Sequence, residues 1–183
     1  MLRAGLLAET VIATAGGADA VAAACAALGA ATIAIEADPR DEGAVIAAAQ
    51  ALGEVTMLVC DAATPFRAAG GGIDGLRAGL DRSWIATRAV ANAVFRPAGA
   101  GKLVLLGPRP RDGAHAHALG AALENTARTL SVEWARYGVR TAAVLPGDAS
   151  TDDEVAELVA YLASPAGDYF SGCAFRLGAV GGA

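Results

Sequence analysis

The chain has 183 residues, 55% hydrophobic and 18% charged, with 48 alanines and a net charge of −5 from 14 basic and 19 acidic side chains. Residues 1–183 are expected to form one domain with its own core, and this composition excludes a disordered chain. The acidic balance argues against nucleic-acid binding, which needs a basic face to neutralise phosphates.

Cys25, Cys60 and Cys173 lie far apart in the sequence, so neither a disulfide framework nor a metal site is expected, and a reducing, cytoplasmic setting fits. Glu9 interrupts the short apolar run Leu6, Leu7, Ala8, so no signal peptide is expected. The longest uncharged stretch, Ala20 to Ile35, is 16 residues, Ala-rich and broken by Gly29; it is too short to cross a bilayer, and no membrane association is expected.

In chain order, a strand is predicted at Thr10–Thr14, a helix over 18–28, a strand at Thr32–Glu36 and a helix over 41–52. A strand at Thr56–Cys60 then precedes a long helix over 73–96. A strand at Lys102–Leu106 leads to a second long helix over 116–137, followed by a strand at Val139–Leu145, a helix over 152–163 and a strand at Cys173–Leu177. The strands are mostly continuous apolar runs, as strands covered on both faces must be. This rhythm predicts an α/β fold: a doubly wound, Rossmann-like three-layer sandwich with a mostly parallel sheet of about six strands and right-handed crossovers.

Along the first long helix, Ile73, Leu76, Leu80, Trp84, Thr87, Ala91 and Val94 recur at helical spacing; Leu119, Leu123, Thr126, Leu130, Trp134 and Tyr137 do the same along the second. Alanines on neighbouring faces leave more than one side of each helix to bury. One side would cover the sheet and the other meet a partner chain, so a homo- or hetero-oligomer built on helices 73–96 and 116–137 is expected.

The segment Leu119 to Gly147, LGAALENTARTLSVEWARYGVRTAAVLPG, resembles the short-chain dehydrogenase/reductase pattern SKAALENLTRTLAVEWAxxGVRVNAVxPG. GKLVLLG (101–107), MLVCDAA (57–63), AIEADPRDEGAV (34–45) and ASPAGDYFSGCAFRLGAVGG (163–182) are similar to further segments of that family, Asp38 falling on its adenine-side Asp. The resemblance implies a Rossmann-type oxidoreductase using NAD(P), usually assembled into dimers or tetramers through the two long helices. It also implies a catalytic Tyr with a Lys four residues on, a Ser that polarises the carbonyl, and an Asn that holds a relay water.

None of these four is present. The Tyr position falls on Ala116, the Lys position on Gly120, the Ser position on Gly107 or Pro108, and the Asn position near Gly79. Lys102 is the only lysine, and Tyr137, Tyr161 and Tyr169 are followed four residues later by Thr141, Pro165 and Cys173. Alanine, glycine and proline side chains move no protons.

The family's phosphate-binding glycine loop is reduced to Thr14-Ala-Gly-Gly-Ala-Asp-Ala-Val21. It keeps Gly16 and Gly17, lacks the third close-approach glycine and adds Asp19 where phosphate would lie. One βα unit is missing from the first third; trimming a sheet edge is physically easier than starting the chain inside the first helix. Pro146-Gly147-Asp148-Ala149-Ser150 runs almost directly into the last helix, with no room for the family's lid.

The expectation is therefore a non-catalytic, pseudoenzyme-like subunit that stabilises an active dehydrogenase and needs no cofactor of its own, with Gly16, Gly17, Asp38, Asp61, Pro146 and Gly147 as vestiges of an NAD(P) site. The alternative is an oxidoreductase or other enzyme with altered chemistry in the same cleft, using His117, Asp61 or Cys60. His115 and His117, near Asp112 and with Asp148, form a weaker metal or general-base constellation, and Cys60 reads as a buried structural thiol. Arg109 and Arg111 read as a solvated or partner-contacting loop with anion-binding capacity.

Overall fold

The computed structural model describes residues 3–38 and 40–178. Pro39, within the 34–45 similarity, and residues 179–182, at the end of the 163–182 similarity, lie outside the described residues.

Six strands form the sheet: β1 (Val11–Ala15), β2 (Ala31–Ala34), β3 (Met57–Asp61), β4 (Gly101–Leu106), β5 (Val139–Pro146) and β6 (Cys173–Leu177), in the order β2-β1-β3-β4-β5-β6. Every pairing is parallel, a tighter result than the mostly parallel sheet expected. The helices are α1 (Asp19–Ala27), α2 (Glu42–Ala51), α3 (Ala63–Ala68), α4 (Ile73–Val90), α5 (Arg96–Ala98), α6 (Ala116–Glu133) and α7 (Asp152–Ala163).

Two cores sandwich the sheet because successive strand residues point to opposite faces. Leu58, Cys60, Leu103, Leu105, Ala143 and Leu145 pack under α2, α4 and α6. Met57, Val59, Val104, Leu106, Ala142 and Val144 pack under α1 and α7. Strand β3 is buried throughout, as its continuous apolar sequence requires.

The edge strands depart from the expected two-sided cover. All four β2 residues are exposed, and β6 is only partly buried. A complete β1 and α1 are present, and β2 ends the sheet. The last crossover also departs from expectation. Strands β3 to β6 advance in one direction across the sheet with α4 and α6 on one face, yet α7 lies on the opposite face beside α1. The β5–α7–β6 connection therefore has the opposite hand to the other crossovers.

The 73–96 helix is not continuous. Its regular part stops at Val90, and Ala91–Phe95 forms a π-helical turn before the short α5. Pro97 has no N–H to donate and its ring crowds the carbonyl one turn back, which explains the widened turn. Gly99 at φ 66° ends the run. The stripe assignment on α4 is corrected too: Gly75, Gly79, Ser83, Ala86, Val90 and Thr87 face the body, while Ile73 (51% exposed) and Trp84 (46%) face outward and Leu76 and Leu80 are half-buried. On α6 the expected residues Leu119, Leu123 and Leu130 are buried. No helix among the described residues is long and apolar enough to cross a membrane.

Candidate functional site

Two clefts open at the carboxyl ends of the strands. The larger, about 960 Å³, lies where the strand order reverses between β1 and β3; its walls come from Thr14–Gly17, from Glu36 and Asp38 after β2, and from α3 and α4. Open α/β sheets bind ligands in such a crevice. The smaller, about 130 Å³, lies between the start of α1, Asp61, Thr64 and Arg67, Gly107 and Arg109, and Pro146 and Asp152.

Gly16 and Gly17 both take positive φ, 96° and 102°. A Cβ on Gly16 would stand 2.1 Å from the Asp61 carbonyl oxygen, so that glycine lets the loop pass close to β3. Asp38 sits at the larger cleft. Its carboxylate accepts two bonds from the Arg40 guanidinium (3.1 and 3.0 Å) and one from the Arg40 backbone N–H, which hold the carboxyl below its ordinary range.

Asp61 starts α3. Its carboxylate accepts from the Ala63 and Thr64 backbone N–H groups (2.8 and 3.2 Å) and from the Thr64 hydroxyl (2.6 Å). Burial nevertheless pushes this carboxyl up, since desolvation outweighs those bonds. Cys60 points to the opposite face of β3, into the core beside Thr87. Burial pushes its thiol up to about 12, and Cys25 up to about 11, so neither is a ready nucleophile.

His117 is exposed on the first turn of α6 and lines neither cleft. His117, Asp61 and Cys60 therefore do not converge on one point. Asp148 accepts from the Arg111 backbone N–H at 2.9 Å, which ties it into the loop; among the described residues no cluster of three or more His, Cys, Asp or Glu is placed to hold a metal ion.

Of the positions that the resemblance assigns to catalysis, Gly107 and Gly120 meet at Leu145, and Gly79 packs on Leu119 of the same helix as Ala116 and Gly120. A Cβ on Gly79 would meet Leu119 Cδ2 at 2.7 Å and the Ala62 carbonyl oxygen at 3.1 Å. A Cβ on Gly107 would meet Leu145 Cδ2 at 2.7 Å, and one on Gly120 would lie 3.7 Å from the same atom. Ala116 is buried. Leucine methyl groups thus crowd Gly79 and Gly107, whereas Gly120 makes only an ordinary van der Waals contact.

Lys102 stands at the opposite, amino end of the strands. Its ammonium donates to the carbonyls of Leu162, Ala163 and Ser164 (3.3, 2.9 and 2.7 Å) and pairs with Asp168 at 2.7 Å. Tyr137 stacks against Arg96 and Arg136 after α6, and Tyr161 packs on Phe170 at the end of α7.

Of the two arginines expected in a solvated loop, Arg111 is exposed and Arg109 is not. Arg109 donates to Asp152 at 2.6 Å and to the Ser150 carbonyl at 3.3 Å, with its side chain 13% exposed. Arg111 donates to the Asp148 carbonyl at 2.8 Å, and Arg67 pairs with Asp112 at 3.2 Å. The segment after β4 is thus strapped to the one after β5, over the smaller cleft. Thr151 caps α7 reciprocally with Glu154 directly after this strap, leaving no lid. Helix α3 and this strap had no counterpart in the sequence reading; Asp61 one residue ahead of Ala-Ala-Thr was the available cap signal.

No protein-family model matches the sequence, and no curated protein matches it. Solved structures do. A citronellol catabolism dehydrogenase from Pseudomonas aeruginosa superposes with a TM-score of 0.76 at 24% identity, covering 96% of each chain. A hydroxysteroid dehydrogenase from Escherichia coli gives 0.75 at 17% identity over 97% of this chain and 99% of that one. A 3-ketoacyl-(acyl-carrier-protein) reductase from Brucella melitensis, solved with NADH, gives 0.75 at 21% over 92% and 96%. The fold is a Rossmann-like oxidoreductase fold. More closely, it is the fold of the short-chain dehydrogenases and reductases.

Proposed function

We propose that this chain is a non-catalytic short-chain-dehydrogenase-like subunit whose role is association with an active dehydrogenase of the same fold. One observation carries the reading: the positions that the resemblance assigns to catalysis fall on Gly79, Gly107 or Pro108, Ala116 and Gly120, leucine methyl groups crowd Gly79 and Gly107, and the only lysine is committed to capping α7 at the far end of the sheet. Hydride transfer at a carbonyl needs a proton donor at the oxygen, and no side chain at these positions supplies one.

The small volume beneath the Arg109–Asp152 strap supports the same reading, because it leaves little space for a nicotinamide ring and a substrate together. NAD(P) is accordingly not a working cofactor of this chain in our reading, although the Brucella reductase of similar fold was solved with NADH. The outward apolar residues Ile73 and Trp84 on α4, with Val132 on α6, favour a partner on the face of the two long helices.

The test is to assay the purified chain for carbonyl reduction with NADH and NADPH, and to co-express it with an active homologue encoded by the same source. Absence of turnover with co-elution and a gain in the homologue's stability is the expected result. Turnover by the isolated, homogeneous chain would overturn the proposal, as would separate elution with an unchanged homologue.

A further inference from the structure

The larger cleft has no part in the association proposed above, and its chemistry points to a ligand. We propose that it binds a purine nucleoside whose 5′ substituent is neutral or cationic, instead of a pyrophosphate-bearing dinucleotide.

The cleft's volume, about 960 Å³, is in the range of small-molecule sites, and it lies at the switch point of the sheet. Glu36 follows Gly16 by about 20 residues and stands just past β2, where an acidic side chain accepts from ribose hydroxyls in dinucleotide folds. Asp38 is already engaged by Arg40, which leaves Glu36 as the open acceptor on this wall. Ile35, Val45, Pro65 and Ala86 supply apolar walls for a flat base.

The charges decide against phosphate. With the Asp38–Arg40 pair neutralised, Asp19, Glu36 and Asp81 face the cleft against Arg82 alone. Asp19 is the first residue of α1, so its carboxylate offsets the positive helix end that would otherwise hold a pyrophosphate. Asp19 also lines the smaller cleft and stands between the two. At about 130 Å³ the smaller cleft falls well below the volume of a small-molecule site, so the second half of a dinucleotide has no seat.

The experiment is calorimetric titration of the full chain at low salt with four probes: 5′-amino-5′-deoxyadenosine, adenosine, AMP and NADH. The two nucleosides without phosphate are expected to saturate, with AMP weaker than adenosine by about threefold or more and NADH no tighter than AMP. Asp19→Asn should narrow the gap between AMP and adenosine, and Glu36→Gln should weaken adenosine about tenfold with an unchanged circular dichroism spectrum. AMP or NADH binding more tightly than adenosine would overturn the proposal, and so would the absence of binding by all four at millimolar concentration. Neither outcome by itself overturns the association with an active dehydrogenase, which fails on turnover by the isolated chain or on separate elution.

Discussion

A backbone carbonyl cannot move aside as a flexible side chain can, which makes Gly16 the most constrained glycine of the site. Its φ is 96°, and an added Cβ would stand 2.1 Å from the Asp61 oxygen. Gly16→Ala should therefore destabilise the fold by about 2 kcal/mol or more, seen as a lower urea midpoint. An unchanged midpoint would show that the loop holds its course for another reason. Asp61 itself makes a prediction in pH. Its carboxyl is raised from 3.8 by burial, so the folded state favours the protonated form. Stability from this group is fully present below about pH 4 and is lost as pH rises through the folded-state value. Asp61→Asn keeps one oxygen that can accept from both the Ala63 and Thr64 N–H groups and never carries the charge. Its stability relative to the parent should rise between pH 4 and 7 in urea titrations; a flat or falling difference would contradict the desolvation account. That the chain has no Tyr-x-x-x-Lys was legible in the sequence because the motif is a local pattern. The burial of Arg109 was not, since Asp152, its partner, lies 43 residues away and meets it only through the fold.

At the scale of elements, the strands were legible almost to the residue, because a parallel sheet selects continuous β-branched and apolar runs whatever its neighbours are. What the local sequence did not carry was which strand stands at the edge. Ala31–Ala34 reads as a covered strand, yet it ends the sheet and is exposed. The hand of the last crossover was hidden for the same reason: α7 has one apolar face, which fits either side of a sheet, and only its docking against α1 settles the side. Lys102 is part of that docking. Its ammonium, 18% exposed, satisfies three carbonyls at the end of α7 and pairs with Asp168 ahead of β6. Helix carboxyl ends favour cations, and buried carbonyls left without donors are costly. Lys102→Met, of similar reach without the charge, should lower stability by about 1–3 kcal/mol in thermal or urea melts. It should leave nucleotide-probe binding at the opposite end of the strands unchanged. A neutral effect on stability would mean that water replaces the ammonium at this helix end.

For the whole molecule, the distribution of side chains over α4 decides how the chain meets others. Small residues (Gly75, Gly79, Ser83, Ala86) let the helix lie close to the body: a Cβ on Gly75 would stand 2.6 Å from the Phe66 carbonyl oxygen. The bulky residues of the same helix, Ile73 and Trp84, are thereby left on the outside, with Val132 of α6 76% exposed. A monomer gains little from outward tryptophan and isoleucine on one helix face, whereas an oligomer buries them. The double variant Ile73→Glu, Trp84→Glu places two charges on that face and touches no buried side chain. It should shift the chain to the monomer in size-exclusion chromatography with light scattering. Its melting temperature at high dilution should stay near that of the dissociated parent, because half-exposed surface positions contribute little to the isolated fold. Loss of folding on substitution would place these side chains in the core instead. An unchanged mass for a parent that is itself oligomeric would move the interface away from the long helices, to the partly buried edge at β6 or the exposed edge at β2.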